Sequence, residues 1–144
     1  EHKGIIPIEL RPLIGNRIYG CDDCQLICPW NKFAKVAQDA DFNTRNGLDD
    51  ARLVDLFSWT ESEFRYRHSG SSIRRIGYYQ WLRNIAVALG NAAPRKEKYE
   101  YRSEKNNSET KRKAIQLLRK RISGSSPLVS IHASWALSKY ESRI

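Results

Sequence analysis

Three cysteines within eight positions, Cys21-Asp22-Asp23-Cys24-Gln25-Leu26-Ile27-Cys28, constrain this 144-residue chain more than any other feature. They are all the cysteines it has. An odd number of thiols gathered in one short stretch does not make a disulfide framework; such clustering points to metal or redox chemistry.

With the following Pro29 the run reads C-x2-C-x3-C-P. Ferredoxin-type iron–sulfur proteins use C-x2-C-x2-C-x3-C-P, in which the first three cysteines hold one cubane and the last reaches a second cluster. Here the last three members are present, and Ile18 stands where the first belongs. A cubane takes about four thiolates, so at least one ligand must come from elsewhere. Two-residue gaps let the chain curl round a cluster with its amides toward sulfur, and the Cys28-Pro29 step ends the curl, because proline has no N–H and a fixed φ. Zinc is the main rival, since C-x2-C is also a zinc half-site, but His2, His68 and His132 are scattered and supply no second half. Inert buried thiols are the third reading.

The chain is 40% hydrophobic, a size and composition that suit one compact domain or a small domain fused to part of another. No apolar run approaches the roughly 20 residues that span a bilayer, and Glu1 to Gly4 do not open a signal peptide. We therefore expect a soluble, cytoplasmic protein with no membrane contact. There is no methionine, so Glu1 is expected to be an internal residue of a longer protein. A net charge of +9 favours an anionic partner, nucleic acid being the commonest, although a solvated basic surface accounts for charge alone.

Along the chain, Gly4, Pro7, Pro12, Gly15 and Gly20 mark residues 1–20 as loops and short turns. Leu53, Val54, Leu56 and Phe57 recur at helical spacing, and Thr60-Glu61-Ser62-Glu63 is a capping box. A continuous helix is predicted from Ser71 to Leu89, stopped by Gly90-Asn91. Residues 94–110 are polar without periodicity and are predicted to be a loop or disordered insertion. Helix resumes at Lys111, and Ser126-Pro127 caps a last one. The segments Trp81 to Gly90 and Val129 to Leu137 resemble each other at a spacing of about 48 residues, near the roughly 40–47 of HEAT or armadillo units. An ordinary helical bundle fits the periodicity as well.

Taken whole, Gly15 to Asn31 resembles the second cluster segment of the epoxyqueuosine reductases. Glu1-His2-Lys3-Gly4, Ser72-Ile73-Arg74-Arg75-Ile76-Gly77-Tyr78 and Trp81-Leu82-Arg83-Asn84 are similar to the same family in the same order. The resemblance implies a mainly α chain: a partial ferredoxin-like iron–sulfur segment (residues 1–48) followed by a HEAT-like helical, tRNA-binding domain (residues 49–144). It implies the carboxy-terminal part of an oxidoreductase that reduces epoxyqueuosine to queuosine in tRNA with two 4Fe-4S clusters and cobalamin. Its other partner would be an electron donor, and the protein is expected to be a monomer. By that likeness Cys21 and Cys24 join an upstream cysteine on one cluster and Cys28 completes the other, with Cys21 and Asp22 on the cobalamin side. No catalytic residue falls within this stretch, so the fragment alone is expected to be inactive.

For such a substrate the chain needs phosphate contacts. His68 to Arg75 runs as a Ser/Gly loop into an expected helix amino terminus, where free amides favour anions, so Ser72, Arg74 and Arg75 are the leading tRNA contacts. Arg67, Arg11 and Lys3 are further candidates, while Lys111 to Lys113 is more often a solvated face. A stand-alone iron–sulfur electron-transfer module, or a zinc-bearing RNA-binding module, is the alternative reading; the first leaves the long basic tail unexplained and the second the Cys-Pro ending.

Overall fold

The computed structural model describes residues 2–40, 43–93, 104–124 and 126–142, and among them it is helical with no strand. In chain order the helices are α1 (Arg11–Ile14), α2 (Asp23–Leu26), α3 (Leu53–Ser58), α4 (Glu61–Arg67), α5 (Tyr78–Asn91), α6 (Glu104–Gly124) and α7 (Pro127–Glu141). Two 3-10 turns, Pro29–Phe33 and Ser72–Ile76, punctuate them.

The capping box forms as expected. Thr60 Oγ1 accepts from the Glu63 N–H at 3.2 Å while the Glu63 carboxylate accepts from the Thr60 N–H at 2.8 Å, so two orphan amides of α4 are satisfied. Pro127 occupies the first turn of α7, and the Ser126 carbonyl accepts from Val129 and Ser130, though the Ser126 hydroxyl makes no capping bond.

The predicted helix from Ser71 to Leu89 divides at Gly77, whose φ of +79° is left-handed and inaccessible to the α-helix. A 3-10 turn lies before it and α5 after it. Nor does Gly90 stop α5, which runs on to Asn91. A Cβ on Gly90 would lie 2.5 Å from Cζ3 of Trp135 and 3.0 Å from the backbone Cα of Ala136, so the residue is small because α7 crosses there. The expected polar loop is corrected too: α6 already begins at Glu104, and residues 94–103 lie outside the described ones.

The core sits where α5 packs on α7 and α3, with α6 closing against α7 and α3. Leu82, Ile85, Leu118, Val129 and Phe57 are inaccessible to solvent, each contributing about 1.5–3 kcal/mol by leaving water. The amino-terminal segment is fastened to this core by polar side chains. Buried Arg83 donates from Nη1 to the carbonyls of His2 (2.8 Å) and Gly4 (2.7 Å). Asn84 Nδ2 donates to the Ile18 carbonyl at 2.7 Å, and Asn91 Nδ2 to those of Arg11 and Gly15, both at 2.8 Å. The Ile6 N–H donates to His132 Nε2 at 3.0 Å, and the Ile6 side chain enters the core. Irregular backbone buried against helices needs such partners, because unpaired carbonyls there cost about 1–3 kcal/mol each.

Candidate cluster segment and nucleic-acid interface

Cys21 and Cys24 are exposed and Cys28 is half-buried; all three are free thiols. The curl between them is local. Asp22 adopts a left-handed conformation (φ +54°), and its carbonyl accepts from both Gln25 and Leu26 at 2.9 Å, closing the turn of α2 around Cys24. Asp suits this position because its short polar side chain tolerates left-handed backbone. Pro29 then opens a 3-10 turn, and Asn31 Nδ2 donates to the Gln25 carbonyl at 2.5 Å, tying the turn back onto α2. Arg17 holds both oxygens of Asp23, at 2.8 and 2.9 Å, and that bond raises the Arg17 pKa.

The donor set suits iron–sulfur: soft sulfurs, uncrosslinked and open to approach. Among the described residues no three His, Cys, Asp or Glu side chains stand close enough together to hold a metal ion, so the cysteines do not by themselves enclose a site. Two of the histidines that zinc would need are fully buried in the helical part. His132 is tied to Ile6 and Leu128, and His68 sits fully buried among Trp59, Phe64 and Trp81, which lowers its pKa by desolvation. Of the three cysteines Cys21 alone borders a cleft of about 850 Å³, which Leu13, Ile14, Ile18, Gly20 and Asn84 also line. On either side of Cys28, Leu26, Ile27, Trp30, Phe33 and Val36 all present large apolar surfaces to solvent.

The expected phosphate loop lies beside this segment. The Tyr19 hydroxyl donates to the Ser72 carbonyl at 3.2 Å, and Arg75 Nη2 donates to the same hydroxyl at 3.3 Å. Arg74 and Arg75 are exposed, as is Lys3. The reason for expecting an anion there changes, however. Both arginines lie in the last turn of the 3-10 helix rather than the first turn of α5, so exposed guanidinium groups, not helix-terminal amides, are what the loop offers. Arg67 is half-buried with its guanidinium 4.9 Å over the Trp59 ring. Arg11 is a correction: it is 4% exposed, donates from Nε to the Ile6 carbonyl at 3.0 Å, and lies 5.6 Å over Trp135, so it does not face a phosphate. Sequence reasoning missed Asn91 and His132, and it quoted Arg83 and Asn84 without a role; their partners are 66 to 126 residues away, and no local pattern signals them.

Residues 1–31 match a family described as a 4Fe-4S double cluster binding domain. Among curated proteins, the epoxyqueuosine reductase of Pseudomonas aeruginosa is 46% identical over 140 residues, 97% of this chain and 34% of that protein. That of Xanthomonas campestris is 48% identical over 140 residues (97% and 35%), and that of Burkholderia pseudomallei 67% over 92 residues (64% and 22%). The chain thus spans about a third or less of the length of these relatives. No solved structure matches it. The likeness read from the cysteine run extends along nearly the whole chain, which is related in sequence to the epoxyqueuosine reductases.

Proposed function

We propose that this chain is the part of an epoxyqueuosine reductase that carries cluster ligands and binds the tRNA substrate. One observation carries the reading: Tyr19 and Asn84 tie the cysteine loop to the Ser72–Arg75 loop and to α5, which puts soft metal ligands beside exposed arginines. A redox enzyme acting on RNA needs that juxtaposition. Residues 1–48 form the ferredoxin-like part and residues 49–144 a HEAT-like part, with α5 and α7 as its equivalent helices. The whole protein is taken as a cytoplasmic monomer served by an electron donor; the described residues include no helix long and apolar enough to cross a membrane.

When bound, two 4Fe-4S clusters would supply electrons singly to the cobalamin that the resemblance implies, two electrons being needed to remove an epoxide oxygen. In this chain Cys21 and Cys24 hold one cluster and Cys28 the other, each with thiolates from the rest of the protein. Asp22, next to Cys21, faces the cobalamin side. The exposed Leu26, Ile27 and Trp30 support placing further polypeptide against this segment, because a soluble protein rarely leaves so many large apolar groups in water. Arg74, Arg75 and Lys3 bind phosphates, Ser72 lies in the same loop, and half-buried Arg67 lies at its edge; such contacts fix register without reading sequence.

The test uses the full-length protein and RNA carrying epoxyqueuosine, with product followed by mass spectrometry. Cys21→Ser and Cys28→Ser are expected to lose iron and queuosine formation together. Undiminished queuosine formation by an iron-free protein would refute the assignment.

A further inference from the structure

Arg17 and Asp23 flank Cys21 in the chain and line the same cleft as Cys21, which neither Cys24 nor Cys28 borders. Arg17 Nη2 donates to both carboxylate oxygens of Asp23, at 2.8 and 2.9 Å, so the pair closes a short loop with Cys21 inside it. The hydrogen bond and charge of Asp23 come first among the causes that raise the Arg17 pKa, and the negative charge of a Cys21 thiolate is a further one: the guanidinium field reaches the sulfur. Two other basic side chains line the cleft and serve the docking of residues 2–6: Arg83 donates to the carbonyls of His2 and Gly4, and His2 Nε2 lies 3.0 Å from the Ile5 carbonyl.

A cubane held by thiolates is negatively charged, and taking up one electron makes it more negative by that one charge. Nearby charge is among the levers that set its potential: a cation favours reduction and a carboxylate opposes it. At Cys21 a guanidinium and a carboxylate are locked together, so their opposite effects largely cancel. The two side chains are 42% and 53% exposed, and ion pairs that open to solvent add little to the stability of a fold. Their charge, rather than their grip on the loop, is what they bring to the sulfur.

We propose that Arg17 and Asp23 form a compensated charge pair that tunes the midpoint potential of the cluster on Cys21. The inference rests on the reading of Cys21 as a cluster ligand. Arg17 keeps that cluster reducible despite the carboxylate that the C-x2-C gap places beside it. Asp23 keeps the guanidinium from making the cluster so easily reduced that it holds its electron instead of passing it on.

The experiment uses full-length protein with its clusters loaded, titrated with dithionite in the presence of low-potential mediators while electron paramagnetic resonance follows each reduced cluster. The signal that Cys21→Ser abolishes is the one to track. Arg17→Gln leaves the carboxylate uncompensated and should move that midpoint to a more negative potential. Asp23→Asn leaves the guanidinium uncompensated and should move it to a more positive one. The double variant should return close to the parent value, and Arg17→Lys, which keeps the charge, should stay nearer the parent than Arg17→Gln does. The cluster that survives Cys21→Ser should move less in every variant, because the influence of a charge falls with distance and is screened.

A pair that merely staples the loop would make Arg17→Gln and Asp23→Asn equivalent, since each breaks the same bond. Shifts of the same sign, no shift in either, loss of iron from both, or equal shifts of the two clusters would each overturn the proposal. If one single variant alone loses its iron, the sign of the shift in the other decides. A parent protein that holds no iron overturns the cluster reading itself and the proposal with it, an outcome distinct from any pattern of shifts.

Discussion

The backbone N–H of Ile6 donates to Nε2 of His132 across 126 residues of sequence, at 3.0 Å and out of reach of solvent. For Nε2 to accept, the ring must be neutral with its proton on Nδ1, which points at the Leu128 carbonyl 2.6 Å away. Burial, and then the nearby Arg11, Arg83 and His2 charges, push the His132 pKa down to about 4, against the Leu128 bond that raises it.

That depression makes stability pH-dependent. The unfolded chain takes up the proton at its ordinary imidazole pKa while the folded one resists, so stability is complete above about pH 6.5 and falls as pH drops toward 4. The decline is on the order of 3 kcal/mol. His68, also lowered by burial, adds to it in the same direction. Thermal unfolding between pH 7.5 and 4 should show the trend, and His132→Gln should flatten it in part; an unchanged slope in that variant would remove His132 as the cause.

Gly90→Ala is expected to destabilise despite the better helix former. Alanine gains about 1 kcal/mol in helix propensity, but its Cβ would meet the Trp135 ring and the Ala136 backbone, and overpacking of that kind costs about 1–3 kcal/mol. A lower denaturant midpoint with unchanged slope is the expected result.

Cys28→Ala and Cys21→Ala in the full-length protein should extinguish different clusters, because the cysteine before proline crosses to the partner site in two-cluster ferredoxins. Spectra of the two variants should differ in which signal disappears. The same signal vanishing from both counts against crossed ligation.

Replacing Arg74 and Arg75 together by Ala should weaken tRNA binding by about 1–3 kcal/mol for each charge-assisted hydrogen bond removed. The dependence of log affinity on log salt should become shallower by roughly 0.7 for each phosphate of single-stranded RNA that is no longer neutralised. Fold and cluster content should hold, since both side chains are exposed. Unchanged affinity and slope would send the search to Lys3 and Arg17.

The features legible in the sequence were the local ones. The capping box at Thr60, the curl from Cys21 to Cys28 and the helical stretches flanking Gly77 depend on residues a few positions apart, where spacing and turn chemistry decide. Gly77 and Gly90 misled in opposite senses: one breaks a helix whose apolar periodicity runs straight through it, and the other looks like a stop but answers a close helix crossing. Arg11 read as surface charge because nothing near it in sequence shows that the Ile6 carbonyl and Trp135 will surround it. The placement of Tyr19 against Arg75 belongs to the same class, since it exists only after residues 2–18 have docked on α5 and α7.

The grip of Arg83, Asn84, Asn91 and His132 on the amino-terminal segment falls entirely on peptide carbonyls and one amide, never on side chains. Its tolerance to mutation should accordingly be lopsided: exposed positions such as Lys3, Ile8 and Leu13 can be rewritten with little effect on docking, whereas the four gripping residues admit almost no substitute, because each bond depends on the gripping side chain alone. A saturation library across both partners would display that asymmetry as a segment permissive at its exposed positions, though not at buried Ile6 and Arg11, laid against four intolerant points.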